Sequence, residues 1–312
     1  MLVHWRYGTV MFPTNKKRED SAASIDPVAI SVVIPNFNNE PYLRACIDSV
    51  LRQSFKEIEV LIIDDCSTDG SRELLNIYAR EYPDIIRAVF NTKNLGVSRN
   101  RHAGILASRG KYITTLDSDD LYADETKLER EYFLIKQYEN NDGRDIIAFS
   151  NVRMLFNDTS ESLVGTCENI REGDIFESML LRKHFIPRDF LFKREMYFRV
   201  GGYNPSYKIY EDWNFKLKLA QRYQFYYTGI VGIVYRRHGR GLSAQGAEEH
   251  IKYLRKSFSE AVFGFNESEI IRKHKVDFEN YLIKVYGAKY RRESGFQHVF
   301  FLLKCLMHSL PK

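Results

Sequence analysis

The side chains best suited to chemistry stand in four short clusters. Asp117-Ser118-Asp119-Asp120 follows directly on the strand-like run Lys111–Leu116. Acids at the end of one strand can reach a common point in space. Beside a nucleotide diphosphate, with its several negative charges, they make sense only around a hard cation, Mg²⁺ or Mn²⁺ bound through oxygen. Such an ion acts as a Lewis acid on a departing phosphate. The same residues also suit an Asp-rich turn capping the next helix. Asp64-Asp65 closes a second apolar run, Ile58–Ile63. Glu211-Asp212 opens a helical stretch, where the helix dipole alone favours acids. His238 stands in Arg236-Arg237-His238-Gly239-Arg240. Its imidazole suits an oxygen-rich metal site or a diphosphate, and the arginines suit phosphate charge. A solvated basic loop is the plain alternative.

Alternating strands and helices must position these clusters. Ala29–Ile34 reads as a buried strand ended by Pro35. Asn39 and Pro41 start a helix whose face carries Leu43, Ile47, Val50 and Leu51. Strand Ile58–Ile63, a turn over Cys66–Gly70 and a helix with Leu74, Leu75 and Tyr78 inward come next. Strand Ile85–Phe90, a turn at Asn94–Gly96, a helix to about Ser108 and strand Lys111–Leu116 complete the pattern. Such alternation predicts an α/β fold, a mostly parallel sheet covered on both faces. Ligands of such sheets sit at the carboxyl ends of the strands, where Asp64, Asp65, Asp117, Asp119 and Asp120 all stand.

The second half is less regular. A helix is expected over Asp124–Tyr138, a strand over Asp145–Ser150 and a hairpin or loop over residues 151–170. A helix over Glu211–Arg222, a strand over Ile230–Tyr235 and a basic loop over Arg236–Ser243 follow. From Glu248 the chain reads as helical to its end. Four parts are expected: a polar, irregular extension (1–28), a first half of the α/β domain (29–122), a second half (123–243) and a basic helical region (244–312).

Composition narrows the function classes. With 312 residues, 44% hydrophobic, 20 Tyr and 21 Phe, the chain is long and apolar enough for a real core. Most of the tyrosines are expected in the core and its rim. Four cysteines without a CxxC pair argue against a zinc ribbon or a disulfide scaffold and for a reducing, cytoplasmic setting. Arg6 interrupts the apolar N-terminal stretch, so no signal peptide is expected. No run reaches the length of a transmembrane helix. The net charge of +5 resides in the C-terminal segment, where Ile251–Lys312 holds 12 Lys and Arg against 6 Asp and Glu. This charge is modest and no recognition motif accompanies it, so a nucleic-acid partner is not expected. His298–Leu310, too short to span a bilayer, suits peripheral contact with an anionic membrane surface at the cytoplasmic face. It equally suits packing on the domain or on a second subunit, and the oligomeric state stays open.

Five blocks, "ISVVIPNFN", "VLIIDDCSTDGS", "NLGVSRNRHAG", "GKYITTLDSDD" and "YEDWNFKLKLA", together resemble the family 2 glycosyltransferases of the GT-A fold. They occur in that family's order and spacing over residues 29–243. "VGGYNPSYKIYED" and "YRRHGRGLS" extend the likeness. The resemblance implies an inverting, metal-dependent glycosyltransferase with a nucleotide-sugar donor, typically UDP-linked. The acceptor would be a glycan or a lipid-linked glycan. The first half would bind the nucleotide-sugar and the second half the acceptor. The resemblance places Pro35 and Phe37 at the nucleobase pocket, Asp65 on the base with Asp64 beside it, and Arg101 near the nucleotide. It places Asp119 near the ribose with Asp117 in support, Asp120 on the metal, and Asp212 as catalytic base. Asp119 and His238 complete the expected metal set. His102 stands where the family usually has Asn, and residues 151–210 would choose the acceptor.

Rival readings are weaker. Gly239–Ala244 matches GxGxxA, but late in the chain and without a following βαβ unit. Leu121 departs from the pattern of aspartate-nucleophile phosphatases, and no Walker A loop is present. A sugar-nucleotide or glycan-binding protein without catalysis remains the alternative from a different class.

Overall fold

Parallel pairing dominates the computed structural model, which describes residues 2–5, 8–11, 28–156, 160–163, 170–238, 246–263 and 269–294. Four strands form its centre: β3 (Ile30–Asn36), β4 (Ile58–Asp64), β5 (Ile86–Phe90) and β6 (Tyr112–Thr115). They pair in parallel in the order β5-β4-β3-β6. Both β3 and β4 are buried along their whole length, as apolar runs without alternation require when both faces are covered. Ahead of them, β1 (Leu2–Trp5) and β2 (Gly8–Met11) pair as an antiparallel ribbon, where an irregular extension was expected. The β-branched and aromatic residues Val3, Trp5, Thr9 and Val10 favour extended backbone.

Three helices cross between these strands: α1 (Glu40–Leu51), α2 (Ser71–Glu81) and α3 (Val97–Ala107). Pro41 falls in the first turn of α1, where the amide it lacks would be unpaired anyway. Helix α3 lies unusually close to the sheet. A Cβ added at Gly104 would stand 2.4 Å from Val33 Cγ1, so glycine is what lets α3 approach β3.

The second half is β7 (Leu121–Tyr122), α4 (Lys127–Asp142), β8 (Ile146–Phe156), β9 (Ser160–Leu163), α5 (Phe176–Leu180), β10 (Phe192–Lys193), α6 (Arg194–Arg199), α7 (Glu211–Ala220), β11 (Gln224–Arg237), α8 (Ala247–Val262) and α9 (Glu269–Ser294). Strand β10 adds antiparallel to β6. A second sheet runs β7-β11-β8-β9, with β11 and β8 parallel. Ala148 and Leu191 exchange backbone hydrogen bonds of 3.1 and 2.8 Å, joining the two sheets. Strand β11 is longer than expected because a register shift after Tyr227, beside Gly229 at φ 82°, breaks its alternation. Short α5, α6 and β10 were not anticipated, being too brief to show a period.

Among the described residues, two large apolar clusters make up most of the core. One contains Leu43, Ile47, Leu75 and Leu128 under α1, α2 and α4. The other contains Ile105, Trp213 and Phe215, and also Ile251, Leu254, Phe278 and Leu282 from α8 and α9. The C-terminal helices therefore share the core of the α/β domain. No described helix is long and apolar enough to cross a membrane. The tail His298–Leu310 lies outside the described residues.

Candidate active site

The strand order changes direction between β3 and β6, and the carboxyl ends of these strands leave a crevice there. Register brings the ends level, since Asn36 pairs with Asp64 and Asp64 with Phe90. A cavity of about 1060 Å³ opens at that edge. Of the residues expected at a site, Pro35, Phe37, Asp65, Arg101, Asp117, Asp119, Asp212 and His238 line it. Asp64 and Asp120 stand behind its wall.

Asp64 is the last residue of β4 and Asp65 the first beyond it, and the two side chains take different surroundings. Asp64 is fully buried. It accepts hydrogen bonds from Asn36 Nδ2 at 2.9 Å and the Ser67 amide at 3.1 Å, and so braces the two loops that leave β3 and β4. Those loops are stitched further by Asn38, at φ 53°, whose amide donates to Ser67 Oγ and whose Oδ1 accepts from the Thr68 amide. Asp65 faces the cavity. Its Oδ1 accepts from Asn91 Nδ2 and the Leu95 amide, and its Oδ2 from the Gly96 amide, at 2.8–2.9 Å. A carboxylate has about four acceptor positions, so Oδ2 keeps one for a ligand N–H. Phe37 stands at the mouth, 46% exposed, with a ring face open to stacking.

Arg101 is carried to the cavity by close-packed α3. It is 3% exposed and donates to Asp117 Oδ1 and to Glu211 Oε1. Burial works against its charge, and Asp117 and Glu211 outweigh burial, holding the guanidinium firmly ionised. His102 does not line the cavity. Its Nδ1 is 2.6 Å from the Tyr197 hydroxyl, which accepts from the Tyr203 amide at 3.0 Å. The ring opposite Gly202 leaves no room for a side chain there. The histidine thus ties α3 to the Gly201-Gly202-Tyr203 turn.

The acidic cluster is compact. Oxygens of Asp117, Asp119 and Asp120 lie within 4.8 Å of one another. Asp119 Oδ2 is 3.0 Å from His238 Nε2. Asp120 accepts from the Arg236 amide at 2.9 Å and from Arg188 Nη2. Arg188 Nε also lies 2.8 Å from Asp117 Oδ2. Burial, then the neighbouring Asp119 and Asp117, push the Asp120 carboxyl well up against the pull of Arg188. Asp117 moves the other way: burial raises it, but Arg101 and Arg188 hold it below the ordinary range. Oxygen donors crowded beside one imidazole fit a hard divalent cation.

Asp212 sits in the first turn of α7, paired with Lys216 at 3.1 Å. Burial raises its pKa, and Lys216, Arg101 and Arg188 together bring it well below the usual carboxylate range. Glu211 is pushed up to about 7 by burial and by Asp212, against Arg101. Tyr210, just before them, holds φ 63°, a conformation uncommon outside glycine. Its hydroxyl is hydrogen-bonded to His250 Nδ1 at 2.9 Å and to the Tyr286 hydroxyl at 2.7 Å. Trp213 is 3% exposed and packs in the core, with an edge on the cavity.

Sequence reasoning did not single out Arg182, Arg188 or Lys216, nor His250, Tyr281 and Tyr286 from α8 and α9, all of which line the cavity. No motif or period marks them. Their stretches meet the strand ends only through tertiary packing. Arg240 and the Gly239–Ala244 stretch lie outside the described residues.

The sequence model of glycosyl transferase family 2 matches residues 31–197, more than half of the chain. Glycosyltransferase GlyG of Streptococcus pneumoniae is 35% identical over 92 residues, 30% of this chain and 30% of its own. Matches from Mycobacterium tuberculosis are 27% identical over 216 residues, and this stretch spans 60% of those relatives' length and 68% of this chain. Among solved structures, Staphylococcus aureus TarS in complex with UDP-GlcNAc superposes with a TM-score of 0.67 at 14% identity, covering 90% of this chain and 82% of that one. The mannosyltransferase PcManGT from Pyrobaculum calidifontis, in complex with GDP-Man and Mn²⁺, gives 0.58 at 16% identity over 91% and 81%. Both share the GT-A architecture of a mostly parallel sheet between helices, and with the match across residues 31–197 the chain belongs to glycosyl transferase family 2.

Proposed function

We propose that this chain is an inverting, metal-dependent glycosyltransferase. It transfers a sugar from a nucleotide-sugar, a UDP-sugar, to an acceptor hydroxyl in polysaccharide or glycoconjugate synthesis. One observation carries the reading. A single guanidinium, Arg101, contacts both Asp117 of the acidic cluster and Glu211 beside Asp212, setting a cation site and a base across one cavity. The UDP-GlcNAc of TarS and the Mn²⁺ of PcManGT support the donor and the metal.

In this reading Phe37 stacks on the base, and the remaining acceptor position of Asp65 takes a base N–H. Asp119 and Asp120, with His238 and with Asp117 in support, would hold Mn²⁺ or Mg²⁺. When bound, the ion neutralises charge on the leaving diphosphate. Asp212 takes the proton of the acceptor hydroxyl as that oxygen attacks the anomeric carbon from the opposite side. The acceptor is a glycan or lipid-linked glycan, and unpaired Cys46 and Cys66 suit work in the cytoplasm. A donor screen with and without Mn²⁺, reading released nucleoside diphosphate, tests it. Nucleotide-sugar that binds but never turns over in the presence of glycan acceptors would instead make the chain a binding protein.

A further inference from the structure

Beyond Asp212 the cavity is lined by Arg182, a cation set differently from Arg101, Arg188 and Lys216. Arg101, Arg188 and Lys216 are each set on a carboxylate. Arg182 makes no ion pair among the described residues. Its guanidinium lies over three rings, 4.2 Å from the centroid of Trp213, 5.6 Å from Tyr210 and 6.0 Å from Tyr281. Its Nε is 3.4 Å from the Tyr281 hydroxyl. Rings attract a cation but supply no counter-charge, and a guanidinium partly withdrawn from water still favours an anion. The backbone at Arg182 holds φ 57°, so the turn after α5 accepts strain that non-glycine residues usually avoid.

The surroundings repeat the sign. Lys183 is exposed beside it, and His184 Nδ1 is buried without a hydrogen-bond partner. Burial and then the charges of Arg171 and Lys183 lower the pKa of His184, which places those cations close by. All of these residues line the cavity, and Trp213 under Arg182 directly follows Asp212 in α7.

We propose that this corner binds a phosphate ester of the acceptor, with the adjoining sugar or polyol against Tyr210 and Tyr281 and its hydroxyl at Asp212. The inference rests on the glycosyl-transfer reading and names its acceptor class. Several cations approaching from different chain positions suit the oxygens of a tetrahedral phosphate. A planar carboxylate would need only one arginine fork. The phosphate can belong to a soluble polyol-phosphate polymer or to a lipid-linked diphosphate, and the chemistry is shared.

The full chain is titrated, with and without UDP and Mn²⁺, against four probes. These are a glycerol phosphate trimer, a prenyl diphosphate-linked sugar in detergent micelles, a neutral oligosaccharide and a glucuronate oligosaccharide. The phosphate-bearing probes should bind, and Arg182→Gln should weaken them about 10- to 100-fold, as loss of a charge-assisted hydrogen bond does. Arg182→Lys should restore part of the loss, and UDP should titrate alike into all three proteins. Binding of the trimer points to a polymer source and binding of the micellar probe alone to a lipid source; both support the site. Should Arg182→Gln fail to fold, exposed Lys183→Gln combined with Arg171→Gln should still weaken the same probes several-fold. The proposal is overturned if neutral or glucuronate oligosaccharide binds the parent as tightly, if no phosphate probe binds, or if the substitutions leave phosphate binding unchanged. Absence of nucleotide-sugar turnover with intact phosphate binding would fault the glycosyl-transfer reading alone.

Discussion

Lys216 Nζ lies 3.1 Å from Asp212 Oδ2, one helical turn along α7, and also donates to the Ile186 carbonyl at 2.9 Å. The ammonium is thus fixed from two sides against the proposed base. It is the strongest of the charges that hold the Asp212 carboxyl below its usual range. A base must be ionised to work, so activity falls as pH drops through its pKa. Lys216→Met removes the charge and keeps the stem, and should move the acid limb of the kcat/KM profile to higher pH by about one unit, the shift expected from a close ion pair. An acid limb that stays in place in this variant means that another group sets it.

Asp212→Asn separates chemistry from binding. The amide keeps the size and much of the hydrogen bonding of the acid but cannot take a proton. Nucleotide and metal contacts are proposed for Asp65, Arg101, Asp119 and Asp120 on other elements. Loss of a general base costs about 10²- to 10⁴-fold in rate. The expected signature is a large fall in kcat with donor affinity little changed. Calorimetric titration of UDP with Mn²⁺, paired with a transfer assay, reads both quantities. Transfer at the parental rate would place the base elsewhere.

The acidic cluster makes its own demand. A chelator should abolish transfer, and Mn²⁺ or Mg²⁺ should restore it. Asp120→Ala should lose metal-dependent nucleotide binding as well as rate, because it removes an oxygen from the trio and leaves Arg188 with Asp117 and, at 4.0 Å, Asp189. Full turnover by metal-stripped protein in excess chelator counts against the cation site.

The sequence was informative where local rules and tertiary structure agree. Uninterrupted apolar runs set β3 and β4, and acids at the ends of strands can only meet at one edge of a parallel sheet. Asp65, Asp117 and Asp119 were legible for that reason. Local rules did not say which of Asp64 and Asp65 faces the cavity, and only the family resemblance singled out Asp65. Arg188 lies in an irregular stretch between α5 and β10, and Arg182 in the turn that ends α5. No period marks either, and packing alone brings them to Asp117 and Trp213. Tyr281 and Tyr286 lie on a long helix whose apolar face is shared with the core, so their place on the cavity wall depends on how α9 docks.

Stability in acid should depend on Glu139, which ties α4 to the edge of the sheet. It accepts from Tyr112 Oη on β6 at 2.7 Å and from Lys136 Nζ at 2.8 Å, and lies 3.0 Å from Lys193 Nζ on β10. Burial raises its pKa, but the hydrogen bonds from Lys136, Tyr112 and Lys193 outweigh burial and bring it to about 2. A carboxyl whose folded pKa is depressed contributes stability that is complete above its unfolded pKa, about 4.3. That contribution fades as pH falls from there through about 2. Discounted for solvent screening, it is worth on the order of 2 kcal/mol at neutral pH. Glu139→Gln should therefore lower Tm at pH 7 and lose less stability than the parent between pH 5 and pH 2, read as a slope of unfolding free energy against pH that is shallower by up to about 1.4 kcal/mol per pH unit, the most one carboxyl can contribute. Parallel curves for the two proteins across that range would show that this carboxylate is not held by its three partners.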